Sequence, residues 1–446
     1  MHNGVRKLSF PSLSLSKNDF LKLSAPFSQN AMALFFSGGS YDSSEKSFLF
    51  LYPSEKFELF FKTDVDPWQD LIDKIKLTTT ASFEFPEWVG FIRYELGAFS
   101  DASKKIPFYT HPLPLACFFK PTLTLVLEHA TNTLSALMTS EYSGPEINER
   151  RLLEWIAQGR VLQKLEPINC IDIETEDSFC RKVLKAKDHI LEGNIYQVNL
   201  SHRVLFKGAF DPFLLFRKVI SLNPSPFASF LRSSPFEIIC ASPERFVRKI
   251  GHLLETRPIK GTYKRGHSHE EDTAFQKALL ASPKEKAELL MITDLMRNDF
   301  GKVSLPGTVK TPQLYRLDTY QNVFHLSSLV TAEVSTNLHP FELIKAFFPG
   351  GSISGCPKLR ALEIIYDIEQ RARNIYTGSI GYLTNHGNFD FNIAIRTGLY
   401  HDGLFELQLG AGIVTDSQPR NEFYETLYKG KPFFDILSPS FLEAYF

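Results

Sequence analysis

The chain has only five cysteines in 446 residues. Cys117, Cys170, Cys180, Cys240 and Cys356 are scattered, odd in number and never spaced C-x-x-C, which argues against a disulfide framework or a structural zinc site and fits a reducing cytoplasm. No run approaches ~18 apolar residues, so no membrane-spanning helix is expected. Charge of one sign is missing too: 49 Lys and Arg face 50 Asp and Glu, for a formal net charge of -1. That balance removes any global electrostatic case for nucleic acid or an anionic membrane, and any anion site must be local. The basic residues 1–7 lead into Ser-rich alternating sequence without the unbroken apolar stretch of an export signal. No repeat of fixed period and no low-complexity tract occurs.

What is present reads as a soluble globular protein. Hydrophobic residues make up 43% and charged residues 22%, so neither disorder nor a fibrous architecture is favoured. Forty phenylalanines predict a phenylalanine-rich interior. Up to about Thr139, short apolar runs such as Ala31 to Phe36 and Leu123 to Leu127 alternate with polar turns, one of them at residues 37–40, and read as strands. The polar, then helical, stretch from Glu141 to Glu166 suggests a soft boundary. Residues 1–165 and 166–446 are expected as two halves, or as one intertwined body.

The second half opens with a helix whose apolar face is Phe179, Val183, Leu184, Ala186, Ile190 and Leu191, with Gly193 at its left-handed stop. A strand follows in which Tyr196, Val198 and Leu200 share one face while Gln197, Asn199 and Ser201 share the other. A polar face on a buried strand hints at a site; on an edge strand it would merely face solvent. Further on, Glu285 and Glu288 lie three apart on a helix starting at Pro283, and Glu422 and Glu425 repeat that spacing on a helix capped by Ser417 with Pro419 in its first turn. Four carboxylates brought together would repel unless a divalent cation sat between them, and hard oxygen ligands suit Mg²⁺; taken singly, each pair also reads as a solvated helix face near lysines such as Lys286 and Lys429. The segment Phe348-Pro349-Gly350-Gly351-Ser352-Ile353-Ser354-Gly355-Cys356-Pro357-Lys358 runs from a glycine-rich turn into a helix. Such a turn offers free N–H groups and a positive helix end to an anion, although the order of a phosphate-binding P-loop is absent. The loop Gly410-Ala411-Gly412 offers a second backbone approach. Together with a metal, two such loops suggest a small substrate with two carboxylates. Cys356 reads as a small buried thiol, with no histidine partner to make it a nucleophile.

Taken in order, Tyr196-Gln197-Val198-Asn199-Leu200, Ser242-Pro243-Glu244-Arg245-Phe246, Thr256-Arg257-Pro258-Ile259-Lys260-Gly261-Thr262, Asp294-Leu295-Met296-Arg297-Asn298-Asp299, His325-Leu326-Ser327-Ser328 and the stretch on to Glu425 resemble the chorismate-utilising enzyme family. The resemblance covers about the last 270 residues. The first half is more loosely similar, best at Gly90-Phe91-Ile92-Arg93-Tyr94-Glu95. It implies an α+β fold of two packed antiparallel β-sheets flanked by helices, with the site in the second half. It implies Glu288 and Glu425 as Mg²⁺ ligands, supported by Glu285 and Glu422, with the metal gripping the ring carboxylate of chorismate. Tyr376 and Arg396, with backbone around Gly410 and Gly412, fall where the family holds the enolpyruvyl carboxylate, and His325, Gly261 and Thr262 lie near the ring. Relatives that add water carry a lysine where this chain has Gln197. Anthranilate synthases usually carry alanine where it has Lys260, whereas aminodeoxychorismate synthases carry lysine. Lys260 as nucleophile with Glu244 as acid and base therefore implies amination at ring C4. No segment resembles a glutaminase, so a separate glutamine amidotransferase subunit is the expected ammonia source.

Overall fold

The computed structural model describes residues 4–445, apart from 31, 39–45, 79–82, 102, 104–105, 160–163 and 321–322. The end of the turn expected at residues 37–40 and part of the expected linker lie outside the described residues. Every strand pairing is antiparallel. One ladder runs from Gln197–Lys207 through Leu404–Ile413, Thr397–His401, Phe236–Ser242, Phe227–Ser233 and Met32–Phe36 to Lys46–Leu59. It continues through Ala116–Glu128, Pro86–Ile92, Ser379–Thr384, Phe389–Asn392, Arg245–Ile250 and Leu253–Thr256 to Val323–Glu333.

Two long strands turn this ladder back on itself. Lys46–Leu59 and Ala116–Glu128 pair along their length but slip register between Pro53 and Glu55, beside Tyr52 at φ 52°. Such a bulge bends a strand and increases its twist. Met32–Phe36 joins one end of the pair and Pro86–Ile92 the other, so two layers face each other. Ala33, Phe50, Leu231, Ile238 and Leu399 of one layer meet Val89, Phe91 and Ile380 of the other. Helices cover both outer faces. Lys17–Ser24, Glu176–Leu191, Pro212–Leu222, Lys358–Glu369 and Pro419–Leu437 contribute to one outer core, and Pro67–Lys74, Pro283–Gly301 and Pro340–Phe347 to the other. This is the α+β architecture expected. Strands from both sides of residue 165 pair directly, Met32–Phe36 with Phe227–Ser233 and Pro86–Ile92 with Ser379–Thr384.

Several local expectations change. The first half is not all strand: Ser16 and Asp66 cap helices at Lys17–Ser24 and Pro67–Lys74. In the Glu176–Leu191 helix Phe179, Val183 and Ala186 are buried, but Leu184 and Leu191 face solvent; the buried stripe is narrower than the helical spacing suggested. Gly193 ends that turn at φ 77° as expected. Tyr196 precedes the strand and is exposed, while Gln197, Asn199 and Ser201 are buried, with the Leu404–Ile413 strand on one side and Ser354 to Cys356 on the other. The solvent-facing edge is thereby excluded. Among the described residues, no helix is long and apolar enough to cross a membrane.

Phe50 is fully buried between the layers and packs against Phe35 and Phe48. Phe50→Ala should cost about 3–5 kcal/mol, by lost transfer energy plus a cavity. The readout is a lowered denaturant midpoint at unchanged slope; a loss under ~1 kcal/mol would contradict a packed interlayer core.

Candidate functional site

A cleft of about 950 Å³ opens at one end of the two layers. The residues expected to hold or convert a ligand line it: Glu244, Lys260, Gly261, Thr262, Glu285, Glu288, His325, Tyr376, Arg396, Gly410, Gly412, Glu422 and Glu425. They arrive on separate elements. Lys260 and Thr262 lie on Ile259–Lys264, where Thr262 pairs with His325. Ser282 caps the Pro283–Gly301 helix by accepting a hydrogen bond from the Glu285 N–H at 3.3 Å, which puts Glu285 in its first turn and Glu288 one turn on.

Two expected loops take other forms. Gly410 and Gly412 belong to the Leu404–Ile413 strand, opposite Ser201 and Asn199, whose own N–H groups donate away from it, to Glu369 and to the Ser354 carbonyl. These are non-hydrogen-bonded pairs, so the glycines turn their backbone groups out of the ladder, and the Gly410 carbonyl accepts from Lys429 at 2.9 Å. The glycines also leave room. A Cβ on Gly410 would overlap the Tyr376 hydroxyl, and one on Gly412 would sit 3.1 Å from Lys260 Nζ and 3.2 Å from Gln197 Nε2. The Gln197 amide is buried there with neither its oxygen nor its nitrogen hydrogen-bonded. The glycine-rich segment contributes not a helix end but Ser352 and Ile353; its helix starts at Lys358, whose ammonium is tied to Asp299 at 2.5 Å and to the Phe347 carbonyl. The half-buried Cys356 thiol is pushed up by burial, the opposite of an activated nucleophile. The downstream helix is capped at Gln418 without a side-chain bond. Ser417 instead accepts from the Val414 N–H and bonds the Glu422 carboxylate.

Glu244 is buried, and burial pushes its carboxyl up to about 7 despite the Ser352 hydroxyl, which donates to Oε1 at 2.8 Å, and the nearby charges of Lys260 and Arg396. A carboxyl poised there can both give and take a proton near neutrality. His325 is held neutral, lowered to about 3 by burial and then by Arg396, with Nδ1 2.9 Å from the Thr262 hydroxyl. It is thus a hydrogen-bonding ring and not a cation. Arg396 sits at φ 51° and brings a guanidinium, always charged, into the cleft.

The four glutamates face one another across the cleft. Burial raises Glu285, with Glu288 and Glu425 adding to it, and burial raises Glu422, with Glu425 adding. Lysines balance this charge: Lys429 bonds Glu425 at 2.7 Å, and Lys260 and Lys284 lie 3.9 Å from Glu288. Hard carboxylate oxygens carrying surplus negative charge fit a Mg²⁺ ion in chemistry. In the arrangement described, no three metal-ligating groups converge on one point among the described residues, so the lysines hold the counterion positions.

Behind the cleft lies a network that sequence reasoning missed. Arg373 and Glu369, both buried, form an ion pair, Nη2 to Oε1 at 2.6 Å and Nε to Oε2 at 2.9 Å. Glu369 also accepts from the Ser201 N–H and hydroxyl, and Glu95 accepts from the Arg373 and Asn374 N–H groups. The Glu-x-x-x-Arg spacing at a helix end was the available signal, but such pairs usually lie on surfaces.

A profile of chorismate binding enzymes matches residues 33–435. Aminodeoxychorismate synthase component 1 of Bacillus subtilis is 35% identical over 386 residues, 83% of this chain and 82% of that protein. Anthranilate synthase component 1 of Acetivibrio thermocellus is 44% identical over 255 residues, 57% of this chain and 52% of that one. The crystal structure of anthranilate synthase component I from Streptococcus pneumoniae is similar with a TM-score of 0.75 at 29% identity, covering 88% of this chain and 93% of that one. With the match spanning both halves and every strand layer, the chain belongs to the chorismate binding enzyme family, in the group that holds the component 1 aminodeoxychorismate and anthranilate synthases.

Proposed function

We propose that the protein is the synthase component that converts chorismate and ammonia to 4-amino-4-deoxychorismate, with Lys260 as nucleophile. The observation that carries this reading is the position of Lys260: its Nζ reaches the cleft wall at Gly412 and lies 3.9 Å from Glu288, with Glu244 beside it. The Lys260 amine adds to ring C2, the two ring double bonds shift, and the C4–O bond breaks with the Glu244 proton leaving on the hydroxyl as water. Ammonia then adds at C4, the double bonds shift back, and the C2–N bond to Lys260 breaks. Glu244 takes the surplus proton from ammonia, which restores the starting enzyme.

Arg396 and Tyr376 receive the enolpyruvyl carboxylate, for which a guanidinium fork is the matched donor, and Thr262 and His325 line the ring. Glu288 and Glu425, supported by Glu285 and Glu422, would hold Mg²⁺, whose charge offsets that of the ring carboxylate when bound. The ammonia source is a separate glutamine amidotransferase subunit, and the setting is cytoplasmic.

Purified protein given chorismate, ammonium and Mg²⁺ should consume chorismate without developing anthranilate fluorescence, and p-aminobenzoate should form only once a pyruvate-removing lyase is added. Anthranilate made without that lyase would assign the chain to the other activity of its group. Lys260→Ala should lower turnover with ammonia by at least ~100-fold, as expected for loss of a covalent route; unchanged turnover would remove Lys260 from the chemistry.

The pH profile tests Glu244. Its first step needs the protonated carboxyl, so turnover should fall as pH rises through about 7. The groups facing it are Lys260, Arg396, the Ser352 hydroxyl and the Ile259 backbone N–H, all of which favour the carboxylate. Ser352→Ala removes one of these and should move the descending limb to higher pH; a shift to lower pH would contradict the assignment.

A further inference from the structure

Arg373 does not itself line the cleft but holds residues that do. Its Nη2 donates to the Asn199 carbonyl at 2.6 Å, and its Nη1 donates to the Ile353 carbonyl at 3.1 Å and to the Thr377 hydroxyl at 3.3 Å. Its guanidinium lies over the rings of Tyr94 and Tyr376, 4.8 and 5.8 Å from their centroids. Each of these partners adjoins a group that faces the cleft. Asn199 lines it, and its side chain lies beside the Tyr376 phenol. Ile353 follows Ser352, which donates to Glu244. Thr377 follows Tyr376 itself.

Thr377 adds a second, independent observation. It sits at φ 59°, a left-handed conformation that a β-branched residue rarely adopts. Its hydroxyl donates to the Tyr376 carbonyl at 2.6 Å, and its N–H donates to the Ala394 carbonyl at 2.8 Å. Asn374 and Arg396 are also left-handed, at φ 55° and 51°. The strain at Thr377 persists only where the surroundings over-determine it, and such strain clusters at functional sites. Here the over-determining group is the Arg373 fork, itself neutralised by Glu369.

We propose that Arg373 is a positioning residue for the enolpyruvyl end of the substrate: one buried guanidinium, locked by Glu369, sets Tyr376 through Thr377, Asn199 through its carbonyl, and the Ser352–Glu244 pair through Ile353. The inference rests on the reading of the cleft as the chorismate site. It differs from a stabilising role in its consequence. An arginine that only holds the fold together would, when replaced, reduce the amount of active enzyme and leave the affinity of surviving molecules unchanged. A positioning arginine changes KM in enzyme that is fully folded, because the groups it aims are displaced by fractions of an ångström.

Arg373→Lys keeps a charge opposite Glu369 but cannot reach Asn199, Ile353 and Thr377 together, because an ammonium lacks the planar fork. Thr377→Gly relieves the left-handed strain and frees the link to Tyr376 without disturbing the ion pair, so it remains testable if the lysine variant fails to fold. Each is assayed with chorismate, ammonium and Mg²⁺, alongside circular dichroism and thermal unfolding. For folded Arg373→Lys the expected result is a KM for chorismate raised about tenfold or more and a descending pH limb displaced from that of the parent, since Ser352 no longer bonds Glu244 as firmly. For Thr377→Gly the expected result is a KM raised several-fold with a melting temperature equal to or above the parent's. A KM within twofold of the parent in Thr377→Gly and in any folded Arg373→Lys would overturn the proposal. A parent protein that leaves chorismate untouched would instead overturn the assignment of the cleft, which separates the two failures.

Discussion

A guanidinium sealed from water destabilises its surroundings unless a counter-charge and enough acceptors are fixed around it. Arg373 meets that constraint with Glu369, two backbone carbonyls and a threonine hydroxyl, and in doing so joins elements far apart in the chain. Its partners come from the Gln197–Lys207 strand, the turn at Gly351–Ile353, the end of the Lys358–Glu369 helix and Thr377 just after Tyr376. Glu95, which accepts from the Arg373 backbone, is itself paired with buried Arg93 at 2.6 Å, so the same knot reaches into the first half of the chain. Removing one member would strand a buried charge, which costs more than the pair contributes when intact.

In front of that knot the cleft is arranged by what is absent as much as by what is present. Glycine at positions 410 and 412 leaves space on an otherwise ordinary strand for the Tyr376 hydroxyl and the Lys260 ammonium. Charges then sort into two regions. Toward the helices, Glu285, Glu288, Glu422 and Glu425 gather with Lys260, Lys284 and Lys429. Toward the knot, Arg396 and neutral His325 stand with Glu244, whose burial raises its carboxyl to about 7. A substrate with a carboxylate at each end and a leaving hydroxyl between matches that division, one end to each region.

Much of this was legible in the sequence because it is local. The Glu285/Glu288 and Glu422/Glu425 spacings follow from helical period alone, and the Gln197, Asn199, Ser201 face follows from strand alternation. Motif order located the remaining cleft residues. What could not be read depends on long-range pairing. Gly410 to Gly412 look like a loop until Asn199 to Ser201 are seen beside them, and Ser352 gains meaning only when the turn lands on Glu244. Arg373 and Glu369 resemble any exposed helical ion pair, since nothing local says that both are buried. Leu184 and Leu191 erred the other way, apolar residues on a helix flank that the sheet never covers.

The claim on which the functional account turns is that Lys260 bonds to the substrate ring. Peptide mass spectrometry tests it directly, on enzyme mixed with chorismate and Mg²⁺ in the absence of ammonia, then quenched in acid and digested. The account predicts that the peptide carrying Lys260 gains the mass of chorismate less one water, and that the gain disappears when ammonium is present before the quench. An unmodified Lys260 peptide in enzyme that turns chorismate over once ammonium is supplied would contradict it.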